Sequence, residues 1–162
     1  MQFRAMQEAD AKKVLAIETS ATAYPWSLSQ FVDSATSIDD VTVLEADNNL
    51  VGFIVFKRVL DEATLLNIAI DPPYQGRGLG RRLLEFGLAQ QYLLGARHCF
   101  LEVRLSNQKA QQLYQSLDFT VVGERKNYYP LAQGREDALV MRTEIPSRLL
   151  ETKYSGVIDE SC

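Results

Sequence analysis

The sequence predicts one α/β domain of the α+β kind, a mixed and mostly antiparallel sheet of about seven strands flanked by about four helices. Three observations carry this expectation. The 162 residues are the length of one domain, and 46% hydrophobic with 23% charged residues excludes collagen-like, disordered and disulfide-scaffold chains. The hydrophobic period switches between helix and strand spacing in the order β-α-α-β-β-β-α-β-α-β-β. The three consecutive central strands are joined by short turns, which reads as an antiparallel meander.

Gln2 to Ala5 forms a short strand. Asp10 caps a helix to about Thr19, in which Ala11, Val14, Leu15 and Glu18 make a part-apolar face. At Tyr24-Pro25-Trp26 the proline drives Tyr24 to extended backbone, and Ser27 opens a second, weaker helix to about Ala35. The meander is Val41 to Ala46, Leu50 to Leu60 and Ala63 to Ile70, with turns at Asp47-Asn48-Asn49 and Asp61-Glu62. Gly78 to Leu94 sets Leu79, Leu83, Leu84, Phe86, Leu88 and Leu93 at helical spacing and stops at Gly95. Cys99 to Arg104 is a strand, Ser106 caps a helix through about Leu117, and Phe119 to Glu124 and Ala138 to Thr143 close the sheet. The domain is expected to span 1–145, with 146–162 a C-terminal tail outside it.

A net charge of −4 and a pI near 5.1 argue against a nucleic-acid surface. The longest apolar stretch, Leu50 to Phe56, is too short to cross a bilayer, and Met1 to Lys13 lacks the apolar centre of an export signal. A cytoplasmic protein without nucleic-acid or membrane partners is the expectation. Cys99 and Cys162 have no metal-ligand spacing, so no metal is expected. The one histidine, His98, abuts a strand with no G-x-S-x-G elbow in the chain, and reads as structural.

Gly76, Gly78 and Gly80 alternate where a strand meets the long helix. Glycine there admits positive φ and close approach of a ligand, while the helix start offers unpaired N–H groups to an anion. Gln75-Gly76-Arg77-Gly78-Leu79-Gly80-Arg81-Arg82 thus suits a phosphate or pyrophosphate, with Arg77, Arg81 and Arg82 adding charge. A Walker loop is excluded because no lysine follows these glycines, and a dinucleotide fingerprint because neither register supplies the third glycine.

The pattern present is Q/R-x-x-G-x-G/A, as Gln75-x-x-Gly78-x-Gly80, and here the chain resembles the GNAT N-acetyltransferase superfamily. Further segments, among them Asn67-Ile-Ala-Ile-Asp-Pro, Leu101-Glu-Val-Arg-x-Ser-Asn, Leu113-Tyr and Asn127-Tyr-Tyr-Pro, resemble the RimI type, the ribosomal-protein-alanine N-acetyltransferases. The resemblance implies a sheet splayed open to admit acetyl-CoA as co-substrate. By the same resemblance, main-chain groups of Ile68, Ala69 and Ile70 hold the pantetheine arm, the segment Gln75, Gly76, Arg77, Gly78, Leu79, Gly80 and Arg81 holds the pyrophosphate, and Asn107 bonds the pantetheine amide. It also implies Glu102 as general base and Tyr114 as general acid, and the N-terminal alanine of a small-subunit ribosomal protein as acceptor.

On spacing alone, Glu102 also reads as a strand carboxylate paired with Arg104, and Tyr114 as a packed amphipathic tyrosine. An α-amine with a reference pKa of about 7.7–8.0 is mostly protonated at neutral pH, so transfer to it needs a base. The aromatic-proline loops carrying Tyr24, Trp26, Tyr128 and Tyr129 read either as rigid corners or as walls of a peptide groove, and Glu136 and Asp137 could attract a basic peptide. A monomer or weak dimer is expected. Two other readings stand beside the peptide enzyme: transfer to lysine, a polyamine or another small amine, and a non-catalytic acyl-CoA-binding module.

Overall fold

A computed structural model of the protein describes residues 1–36 and 39–151. The elements are β1 (Gln2–Ala5), α1 (Ala11–Ala21), α2 (Leu28–Thr36), β2 (Asp39–Ala46), β3 (Asn49–Val59), β4 (Glu62–Ile70), α3 (Leu79–Leu93), β5 (His98–Arg104), α4 (Gln108–Gln115), β6 (Thr120–Pro130) and β7 (Arg135–Glu144). Single 3-10 turns lie at Glu8–Asp10, Pro72–Tyr74 and Ser147–Leu150. The seven strands form one sheet in the order β1-β2-β3-β4-β5-β7-β6, antiparallel throughout except where β4 meets β5. The mixed sheet with four α-helices agrees with the fold class expected from the sequence.

The turn between β2 and β3 has positive φ at both Asp47 and Asn48, the type I′ geometry whose twist matches a hairpin. β3 is buried on both faces from Leu50 to Phe56, which is why it reads as an unbroken apolar run. On one side Val14 and Ile17 of α1 and Phe31 of α2 pack with Val43, Phe53 and Val55. On the other, Leu83, Leu84 and Leu88 of α3 pack with Ile54, Phe56 and Leu101. Ser27 and Gln30 bond reciprocally at the start of α2, Gln30 N to Ser27 Oγ at 3.3 Å and Ser27 N to Gln30 Oε1 at 2.8 Å.

Several local expectations are corrected. The Asp10 carboxylate does not cap α1; it accepts from Gln7 N at 2.7 Å and from Arg4 at 2.7 and 3.0 Å, because a guanidinium lies within reach. Ile17, not Leu15, completes the buried face of that helix. Asn107 rather than Ser106 caps α4, its Oδ1 accepting from Ala110 N at 3.2 Å. β6 and β7 run well past their expected ends because pairing of Tyr129 with Glu136 and Pro130 with Arg135 continues the ladder through polar sequence. Leu149 is buried in the α3-side core, so the packed chain continues through the Ser147–Leu150 turn. Residues 152–162 of the expected tail lie outside the described residues.

Close helix-to-sheet contact depends on Gly87 of α3, where an added Cβ would lie 2.5 Å from Phe56 Cε2 and 3.2 Å from Ile54 Cδ1. Gly87→Ala is expected to overpack this contact and destabilise the fold by roughly 1–3 kcal/mol despite alanine's better helix propensity. Thermal unfolding checks it, with a Tm several degrees lower as the expected result.

Candidate active site

The site begins with one extra residue. Val55 pairs with Asn67 and Phe56 with Leu65, so Leu66 is a bulge in β4. The parallel ladder between β4 and β5 starts at Glu62 and His98 and ends at Leu65 and Leu101, where the bulge falls. Beyond it, β4 pairs with β3 alone and β5 with β7 alone. The two central strands are therefore splayed, and Ile68, Ala69 and Ile70 have main-chain groups without a strand partner on the β5 side.

At the end of that open edge lies the glycine turn. Gly76 and Gly78 have φ of +76° and +74°, with open space where a Cβ would stand. Gly76, which the sequence pattern alone did not require, is thus set by backbone conformation. Gly78 begins α3 with no side-chain cap, and the first bond across its turn is Arg82 N to Gly78 O at 3.2 Å. The N–H groups of Leu79, Gly80 and Arg81 are left without helical acceptors, at the positive end of a helix of 15 residues. Gln75 Nε2 donates to Ile70 O at 2.9 Å, fastening the turn to the strand end. Arg81 is held by Glu85 at 2.9 Å and Ser116 at 3.0 Å. Arg77 lies outside the lining, with its guanidinium over the Tyr74 ring at 5.2 Å and a bond to Pro73 O.

Open edge and turn belong to one cleft of about 580 Å³, whose lining also includes Glu102, Asn107, Tyr114, Tyr24, Trp26 and Tyr129. Its shape and donors fit an elongated molecule with amides along its length and a diphosphate at one end. Among the described residues no group of three or more His, Cys, Asp and Glu could hold a metal ion.

Glu102 does not pair with Arg104, although the two share a strand face. Arg125 Nε lies 2.8 Å from Glu102 Oε1, and the Tyr128 hydroxyl donates to the same carboxylate. Arg104 instead bonds Glu136 at 3.0 Å and Pro130 O at 3.1 Å, sandwiched between the Tyr24 and Tyr129 rings at 3.9 and 4.4 Å. The two aromatic-proline loops are therefore stapled across the cleft mouth by one guanidinium. Burial, reinforced by the nearby Glu102 charge, pushes the Tyr129 phenol up to about 12. Tyr128 lies outside the lining and stacks edge-on against Tyr129 at 4.9 Å.

Tyr114, on α4, is buried against Phe119, and burial raises its phenol well above the usual value. Glu136 and Asp137 are not free to attract a peptide. Glu136 is held below the usual carboxylate range by Arg104 and Ser106, and Asp137 by the Asn127 N–H and Lys126.

Sequence reasoning passed over three residues here. Glu18 is 3% exposed and lines the cleft, its Oε1 accepting from Asn67 Nδ2 at 3.0 Å and Trp26 N at 3.2 Å. Asn67 appeared only as part of a motif, and Arg104 only as a partner for Glu102. A carboxylate at a buried helical position was the available signal for Glu18; its bonds span 49 and 8 residues and leave no local pattern.

The family description "Acetyltransferase (GNAT) domain" matches residues 37–121, just over half of the chain. The [ribosomal protein bS18]-alanine N-acetyltransferase of Salmonella typhimurium is 46% identical over 129 residues, covering 80% of this chain and 87% of that protein. Its Escherichia coli counterpart is 41% identical over 140 residues, covering 86% and 95%. The crystal structure of the ribosomal-protein-S18-alanine N-acetyltransferase from Escherichia coli superposes with a TM-score of 0.84 at 40% identity, covering 89% of this chain and 93% of that one. Splayed strands, a glycine turn at a helix start and near full-length relatives agree: the chain belongs to the GNAT acetyltransferase family, in its RimI-type branch.

Proposed function

We propose that the protein transfers an acetyl group from acetyl-CoA to the α-amine of an N-terminal alanine on a small-subunit ribosomal protein, in the cytoplasm. The observation that carries this reading is the single cleft in which the open edge of β4, the glycine-turn donors, Glu102 and Tyr114 meet. The acceptor follows from the relatives named for bS18 alanine acetylation. Among the described residues no helix is long and apolar enough to cross a membrane.

When bound, acetyl-CoA supplies the thioester that an amine attacks. Main-chain groups of Ile68, Ala69 and Ile70 bind the amide-bearing arm strand-fashion, and N–H groups from Gly76 to Arg81 bind the diphosphate, which Arg81 helps to neutralise. Asn107 spends Oδ1 on the helix cap and keeps its amide NH₂ for the same arm. Glu102 takes a proton from the ammonium or the attacking amine, and Tyr114 delivers one to the departing sulfur. Tyr24, Trp26 and Tyr129 line the acceptor's side of the cleft, with Tyr128 stacked edge-on against Tyr129.

Incubation with acetyl-CoA and peptides bearing free or blocked N-termini, with the acetyl located by tandem mass spectrometry, tests the reading. Modification of the free α-amine alone is expected. Acetylated lysine side chains would overturn the α-amine assignment, and no acetylation of any amine would favour a binding module.

A further inference from the structure

Among the described residues two carboxylates line the cleft, Glu18 and Glu102, and they are compensated differently. Glu102 already faces the Arg125 guanidinium at 2.8 Å. Glu18 has no Lys, Arg or His within ion-pair distance among the described residues, although its exposure is only 3%. Both of its hydrogen bonds, from Asn67 and from the Trp26 N–H, fall on Oε1. Oε2 has no hydrogen-bond partner among the described residues, and Glu18 itself lines the cleft.

A buried carboxylate answered only by neutral donors is costly unless a cation joins it. The acceptor brings one. A peptide α-amine is mostly an ammonium at neutral pH, and Trp26 and Asn67 line the same cleft as the open edge that starts beside Asn67. Trp26 is fixed in that lining by its own N–H bond to Glu18 and by ring contact with Phe31 at 5.2 Å. Asn67, one residue before Ile68, links the same carboxylate to the strand on which the acyl group would lie.

We propose that Glu18 is the anchor for the acceptor's α-ammonium: its Oε2 binds the charged N-terminus before deprotonation and aligns it with the open edge of β4. The proposal rests on the α-amine acetyltransferase reading above and names the charge-recognition subsite within it. Glu18 then selects for a cationic N-terminus, while Glu102, already paired with Arg125, handles the proton. Burial pushes the Glu18 carboxyl up, opposed by the Asn67 and Trp26 N–H groups, and an arriving ammonium supplies the opposite charge that favours its ionised form.

The test compares an alanyl peptide with its propionyl counterpart, identical but for the missing ammonium, titrated into protein saturated with CoA, which has no acetyl group to give. The wild type is expected to bind the alanyl peptide on the order of 10–100-fold more tightly. Glu18→Gln, which preserves the acceptor for Asn67 and Trp26, is expected to bring that ratio close to one without weakening CoA binding. Glu102→Gln is expected to keep the ratio while lowering turnover. Should Glu18→Gln not fold, Glu18→Asp, which withdraws the charge by one methylene, is expected to give an intermediate ratio. A wild-type ratio near one, or one unchanged by substitution of Glu18, overturns the anchor; a purely structural Glu18 would shift both peptides equally. The wild type is also given acetyl-CoA in place of CoA. If it acetylates the alanyl α-amine while the ratio test fails, only the anchor falls; if it acetylates no α-amine, the functional reading itself falls.

Discussion

Tyr114→Phe is expected to lower kcat by roughly 10²–10⁴-fold while leaving acetyl-CoA affinity and the Tm nearly unchanged. The ring, not the hydroxyl, does the packing. Tyr114 is 7% exposed and lies 5.8 Å from Phe119 between centroids, and among the described residues its hydroxyl has no hydrogen-bond partner that phenylalanine would orphan. What the substitution removes is the phenolic proton of a residue that lines the cleft. Burial, with smaller contributions from Tyr129 and Cys99, raises the phenol above its ordinary value, so it is fully protonated at neutral pH. The same dry surroundings disfavour a free thiolate, so a proton is needed as the sulfur departs. Steady-state kinetics together with acetyl-CoA titration separate the roles. Loss of turnover with retained binding supports a proton donor, whereas loss of thermal stabilisation by acetyl-CoA would make Tyr114 a packing residue.

Glu102→Gln has the second large effect, and its size depends on pH. An α-amine with a reference pKa of about 7.7–8.0 is mostly protonated at pH 6 and mostly neutral by pH 9. Removing the proton acceptor therefore costs most below the amine pKa, on the order of 10²–10⁴-fold, and the deficit shrinks as pH rises and the amine loses its proton unaided. Glutamine keeps the volume and can still accept the Tyr128 hydroxyl, although it leaves the Arg125 charge unanswered. Because Arg125 is more than half exposed, that loss disturbs folding little. A pH–rate profile of kcat/KM parallel to that of the wild type would remove Glu102 from the proton path.

Local codes explain how much could be read in advance. The glycine turn was legible because positive φ at Gly76 and Gly78 requires a particular residue type, and α3 because its apolar spacing is set by one helix packing on one sheet. The meander was legible through its short turns. The outer half of the β6–β7 hairpin was not. Lys126, Asn127 and Tyr128 sit in a register shift between Arg125 and Tyr129, with Asn127 at φ 50°, and no alternation survives there. That segment is held by side-chain bonds across the hairpin, Arg135 to Asn127 O at 2.7 Å and to Tyr128 O at 2.8 Å. The same limit applies within the site. Glu102 and Tyr114 stand in recognisable motifs, but Arg104's choice of Glu136 over Glu102 and Glu18's bond to Asn67 are made across elements far apart in the chain. Leu149 shows it at the terminus, where one buried side chain extends the packed domain beyond its last strand.

The central claim is that the splayed edge of β4 and the glycine turn form an acetyl-CoA site. Calorimetric titration of the full chain with acetyl-CoA and with acetyl-pantetheine, which keeps the thioester and amides but has no diphosphate, tests it most directly. Saturation of one site per chain by acetyl-CoA, with much weaker binding of acetyl-pantetheine, is the expected result. No heat with acetyl-CoA, or equal affinity for the two, would contradict it.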